Sequence, residues 1–161
     1  MQEPVIFLLI LTVLQEYQLT DAAITIEHTA CELPKKSINK DFQNQILRAV
    51  YACPNGIYRM SPSIPSLVQS SNNLARVLLE NGKYQVLCLT RSSVDSEKDD
   101  EVRAIRSAFA IIGATVSSSD DYPGWAPRAQ SDIVDLMSGL YTEMFGEKAN
   151  VMACHAGLEC G

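Results

Sequence analysis

The chain has 161 residues, 47% of them hydrophobic and 20% charged, with a formal net charge of -6. That balance is globular: it suits one domain, or one domain and part of a second, and excludes a disordered chain. The acidic excess disfavours nucleic acid and anionic membrane as partners, because both repel a negative surface.

Val5 to Leu14 is almost wholly apolar. A signal peptide would carry positive charge before such a run, and here only Gln2, Glu3 and Pro4 precede it. Its length falls short of the roughly 20 residues that span a bilayer. The segment therefore reads as a buried helix over Pro4 to Gln18, started by a proline in its first turn. Ala23 to His28 alternates, with Ile24 and Ile26 on one face, and predicts a strand with His28 on the opposite, solvent side. Asn39 to Ala52 carries a helical stripe of Phe42, Ile46, Ala49 and Val50. Cys53 to Pro65, with Pro54, Gly56, Pro62 and Pro65, reads as irregular.

Leu67 to Leu79 and Tyr84 to Ser93 are strand-like, and Asn81-Gly82 between them predicts a tight hairpin. Ser96, with Asp99 three residues on, predicts a helix start close to a capping box. The stripe Val102, Ile105, Phe109, Ile112 follows, and Gly113 is its expected left-handed cap. Ala114 to Ser118 completes the order as a short strand. Strand, helix, strand, strand, helix, strand over residues 23–118 is the ferredoxin-like βαββαβ arrangement, an α+β fold with two helices on one face of an antiparallel sheet. Ser117 to Asp121 reads as a solvated linker, so the expected divisions are 1–22, 23–118 and 119–161. In the last of these, Ser131 is expected to cap a helix with an inner stripe of Ile133, Met137, Leu140, Tyr141 and Met144. Ala149 to Cys154 reads as an apolar strand that needs neighbours.

The chemistry is sparse. Cys31, Cys53, Cys88, Cys154 and Cys160 are odd in number and contain no CxxC pair, which speaks against a zinc ribbon or redox motif. Cys88, between Leu87 and Leu89, reads as a small buried hydrophobe. A reducing, cytoplasmic compartment is expected. A zinc centre needs three or more converging ligands, and there are only two histidines, His28 and His155. His155 stands at a strand end, where α/β proteins place their sites, with Glu159 four residues on and Cys154 and Cys160 beside them. These residues suit a metal site, a Cys–His pair or a packed strand end, and spacing alone favours the last. Arg91, in an otherwise apolar strand, is a solvated edge residue or a carboxylate clamp, since its guanidinium fork matches both carboxylate oxygens. Asn73 lies on the facing strand.

Several segments resemble the aminoacyl-histidine (Xaa-His, cytosol non-specific) dipeptidases, a subgroup of the zinc exopeptidases. They are Pro54-Asn55-Gly56 with Arg59-Met60-Ser61, Ser70-Ser71-Asn72-Asn73-Leu74-Ala75, Arg91-Ser92-Ser93-Val94, Tyr122-Pro123-Gly124-Trp125 and His155-Ala156-Gly157-Leu158-Glu159-Cys160-Gly161. They stand in the family's order over residues 30–161; the first 20 or so residues match nothing. The resemblance implies a lid over 23–118 that closes on substrate and often dimerises, then a return into a catalytic α/β domain from Tyr122. It implies substrate-binding roles for Arg91, Asn73, His155 and Glu159, with Arg91 the better candidate for the peptide carboxylate. The family's His-x-Asp, bridging Asp and Glu-Glu metal motifs do not occur here. A partial chain is therefore expected, inactive by itself, with no catalytic or metal-binding residue assigned and no tightly bound zinc. A homodimer is expected. A bare dimerisation module, or a small hydrolase using His155 with Cys154 or Cys160, remains open as an alternative.

Overall fold

The computed structural model describes residues 3–27, 29–32, 36–128 and 131–156, with the backbone alone for residues 3–7. It forms two compact units, Met1–Ser37 and Ile38–Gly161. In the first, α1 (Glu3–Glu16) occupies the expected apolar run. Leu8 and Leu9 nevertheless stay exposed, because the short unit holds too little chain to cover them. Residues 23–27 form no ladder, contrary to the strand expected there, and His28 lies outside the described residues. Two isoleucines give an alternation, but a strand exists only where a second strand takes its backbone hydrogen bonds.

In the second unit α2 (Lys40–Ala52) begins at Asn39, whose side-chain oxygen accepts the N–H groups of Asp41 and Phe42 at 2.8 and 3.4 Å. Three strands follow: β1 (Gly56–Met60), β2 (Val68–Glu80) and β3 (Lys83–Ser92), ordered β1-β2-β3 and antiparallel throughout. β1 falls inside the stretch expected to be irregular. Its proline-flanked five residues pair with β2 through two register shifts, so it has no clean period to read. The hairpin turn is as expected, with Asn81 at φ 53° and Gly82 at φ 73°. Next comes α3 (Asp95–Ala110), followed by Gly113 at φ 74°. No side chain caps α3 at Val94; the Ser92 hydroxyl takes the Val94 N–H at 3.1 Å instead.

Both helices lie on one face of the sheet. Ala49 and Cys53 at the end of α2 meet Ile105 and Phe109 of α3, and Leu74, Tyr84, Val86 and Cys88 from the sheet pack against them. Ala114 and Val116 pack on the same cluster while Thr115 and Ser117 are exposed. The period-two signal of 114–118 is thus expressed in burial, but no ladder forms and the expected fourth strand is extended chain. The fold is α+β, an antiparallel sheet with two helices on one face, built from a different set of strands than the periodicity indicates.

The last part departs most from expectation. α4 (Asp132–Phe145) forms after Ser131 and ends at Gly146, φ 70°, but buries no residue. Its intended inner stripe faces solvent, with Met144 73% exposed. Residues 149–154 form no strand. The physical reason is the same in both cases: an apolar stripe and an apolar strand need a second layer, and none is present among the described residues.

Candidate functional site

Alternation along β2 and β3 divides their residues between two faces. Ser70, Asn72 and Leu74 point toward the helices, with Thr90 and Ser92 as their cross-strand neighbours. That inner face carries a polar cluster. Glu97 on α3 accepts from Gln69 Nε2 at 2.6 Å, Ser70 Oγ at 3.0 Å and Arg59 Nη1 at 3.0 Å. Burial pushes its carboxyl up, but the bonds from Gln69 and Ser70, with the Arg59 charge, together hold it below the usual range. Asn72, nearly sealed from solvent, donates to the Pro54 carbonyl at 2.7 Å and accepts from Thr90 Oγ1 at 3.1 Å. Asn55 Oδ1 takes the Leu74 N–H at 2.8 Å. The Pro-Asn-Gly and Ser-Ser-Asn-Asn segments are therefore one interlocked corner that sets the register of β2.

On the outer face Ser71 stands directly opposite Arg91, and Asn73 opposite Leu89. His155 reaches this face from the segment after α4. Its Nε2 lies 2.7 Å from Ser71 Oγ. Burial, and then the charge of Arg91, push the His155 imidazole below its ordinary pKa, so the neutral form is favoured. Arg91 is exposed and has no ion pair among the described residues. Arg91 and His155 both line a cavity of about 1160 Å³ whose walls come from β3, α3 and the segments 114–125 and 151–156.

The turn at 122–125 is fastened to the start of α3. Asp95 Oδ1 accepts the Gly124 N–H at 2.7 Å, and Lys98 pairs with Asp121 at 2.7 Å and donates to the Tyr122 carbonyl. A Cβ on Gly124 would lie 2.6–2.9 Å from the Ser93 carbonyl group and the Val94 nitrogen. Only glycine admits that approach. The stretch 117–121, expected to be a solvated linker, is pinned through Lys98 at its last residue.

Of the four site residues read from sequence, Arg91 and His155 come together. Asn73 shares their face two residues from Ser71, is exposed, and makes no side-chain hydrogen bond among those described. Glu159 lies outside the described residues, as does Cys160. Sequence reasoning misses Ser71, although a signal for it is present in the polar Ser70-Ser71-Asn72-Asn73 run inside a strand facing Arg91. Cys154 is exposed and has no bond to His155, whose partner is the serine. Among the described residues no three His, Cys, Asp or Glu side chains converge to hold a metal ion. The described residues thus do not fit a zinc centre.

No protein-family model matches the chain. The cytosol non-specific dipeptidase of Escherichia coli (strain K12) is 34% identical over 119 residues, 74% of this chain and 24% of that protein. The crystal structure of aminoacylhistidine dipeptidase from Vibrio alginolyticus superposes with a TM-score of 0.82 at 33% identity, over 93% of this chain and 31% of that one. The chain thus spans about a quarter to a third of the length of these relatives, and by sequence and fold it is kin to them.

Proposed function

Starting from kinship with the aminoacyl-histidine dipeptidases, we propose that this chain is the substrate-holding part of a dipeptidase of that kind. In this reading residues 23–118 are a lid that closes over an aminoacyl-histidine dipeptide, and 119–161 return toward a catalytic domain. The observation that carries it is Arg91. An arginine without an ion pair among the described residues, lining a cavity beside a histidine whose pKa burial pushes down, suits a peptide carboxylate. His155 supplies a second polar contact, and Asn73 and Glu159 are proposed to reach other parts of the substrate. Hydrolysis in zinc exopeptidases uses a metal-activated water, and the ligand set for it is absent from the described residues. The chain alone is therefore expected to bind without cleaving and to hold no zinc tightly. A cytoplasmic location is proposed from the relative's description as cytosolic; no described helix is long and apolar enough to cross a membrane.

Isothermal titration of the chain and its Arg91→Ala variant with an aminoacyl-histidine dipeptide tests the assignment. Saturable binding that the variant loses is expected. Equal binding by both would return Arg91 to the role of a solvated edge residue. The interaction-module reading keeps one specific support, the uncovered apolar face of α4. A second copy of the chain is its proposed occupant, which makes a homodimer part of this proposal.

A further inference from the structure

We infer that Ser71 is the positioning residue of the site: it docks His155 onto the outer face of β2 beside Arg91, so that the two act as one carboxylate seat. The inference rests on the dipeptide reading above and adds a residue to it. Ser71 belongs to the sheet, whereas His155 arrives from an extended segment that pairs with no described strand. Left to itself that segment has no ladder to hold it. The 2.7 Å contact between Ser71 Oγ and His155 Nε2 is the side-chain bond that ties the ring down. Ser71 and Arg91 are direct cross-strand partners, and side chains so paired sit about 5 Å apart at their Cβ atoms. A ring held by the serine is therefore also held within reach of the guanidinium.

The chemistry follows from the donor inventory. A neutral imidazole has one donor and one acceptor nitrogen, and a hydroxyl serves either role. With Nε2 engaged by Ser71, the second ring nitrogen stays available. The Arg91 charge opposes formation of an imidazolium until an anion arrives. A carboxylate entering the seat meets the guanidinium and then favours the protonated ring, so binding and proton uptake are linked at this site. Besides burial, which disfavours the imidazolium most, Arg91 from β3 is the charged group that opposes it, and Cys154 is the ring's chain neighbour. Asn73, two residues along β2 and opposite Leu89, is a further polar side chain on that stretch of the face.

The chain contains only two histidines, so proton NMR follows His155 in the intact 161-residue chain, its signals assigned by comparison with a His28→Gln variant. In the wild type the His155 midpoint is expected below the ordinary histidine value. In Ser71→Ala the ring is released from Arg91 and its midpoint is expected to climb toward the ordinary histidine value. Ser71→Thr, which keeps the hydroxyl, is expected to restore the low midpoint. Aminoacyl-histidine dipeptide added to the three proteins is expected to bind several-fold more weakly to Ser71→Ala than to the other two. A midpoint unchanged by Ser71→Ala overturns the inference, and so does a threonine variant that behaves like alanine. Midpoint changes as expected in a wild type that binds no dipeptide support the positioning role and remove the carboxylate reading instead.

Discussion

At the scale of single residues, two positions carry sharp consequences. Glu101 on α3 is fully buried, with neither carboxylate oxygen hydrogen-bonded, and burial pushes its pKa up to about 7. Below its ordinary value of 4.5 both folded and unfolded chains hold the proton, and there is no penalty. As pH rises from there toward 7 the unfolded chain ionises first, so stability falls; above that range the deficit is constant. Glu101→Gln should therefore be nearly neutral near pH 4 and stabilising by roughly 2–3 kcal/mol at about pH 8, read from denaturant midpoints at the two values. A stabilisation that does not grow with pH would show that the carboxyl finds solvent or a partner. Cys53 behaves similarly: burial above all, then the neighbouring Cys88, pushes its thiol up to about 12. It should resist alkylation in the folded chain at pH 8 while the exposed Cys31 and Cys154 react, which mass spectrometry resolves peptide by peptide. In a full-length relative carrying this site, Arg91→Ala should weaken transition-state binding by about 2–4 kcal/mol, measured as kcat/KM.

At the scale of elements, the corner where Pro54-Asn55-Gly56 meets β2 and the turn at 122–125 locate the site. Asn72→Ala would leave the Pro54 carbonyl and the Thr90 hydroxyl without their partner, and should destabilise the chain by about 1–3 kcal/mol in denaturant unfolding. Gly124→Ala should also destabilise, because the added Cβ meets backbone rather than a flexible side chain. Helices α2 and α3 and the β2-β3 hairpin are legible in the sequence because their signals are local: a 3.6-residue stripe in each helix and an Asn81-Gly82 turn. β1 is missed because its pairing is bulged, and the strands expected at 23–28 and 114–118 fail because alternation indicates burial, not a hydrogen-bonded neighbour. The same limit applies to the site. Arg91 and His155 are read from residue type and from the family resemblance, each within its own segment. Their meeting through Ser71 joins residues 84 positions apart, and nothing in either segment alone reports it. The inner network of Glu97 with Gln69, Ser70 and Arg59 is invisible in the sequence for the same reason.

At the scale of the whole molecule, the chain exposes more apolar side chain than its composition suggests. Ile133, Leu136, Met137, Met144 and Phe145 of α4, and Met152 beyond it, are all more than half exposed. A contiguous apolar patch above a few hundred Å² seldom stays solvated, and a two-fold pairing is the commonest way to cover one. Light scattering at tens of micromolar is expected to give a dimer mass, reduced toward monomer by Met137→Glu and Met144→Glu together; a monomer in the unmutated chain would contradict the pairing. The proposal is that this chain holds a dipeptide by its carboxylate, while no metal-ligand set that would cleave it occurs among the described residues. One experiment reads both halves: proton NMR of the chain with an aminoacyl-histidine dipeptide and added zinc, alongside the same peptide as its C-terminal amide. The expected result is saturable shifts of His155 with the free carboxylate, none with the amide, and no free histidine over hours. Release of histidine, or shifts of equal size with the amide, would contradict it.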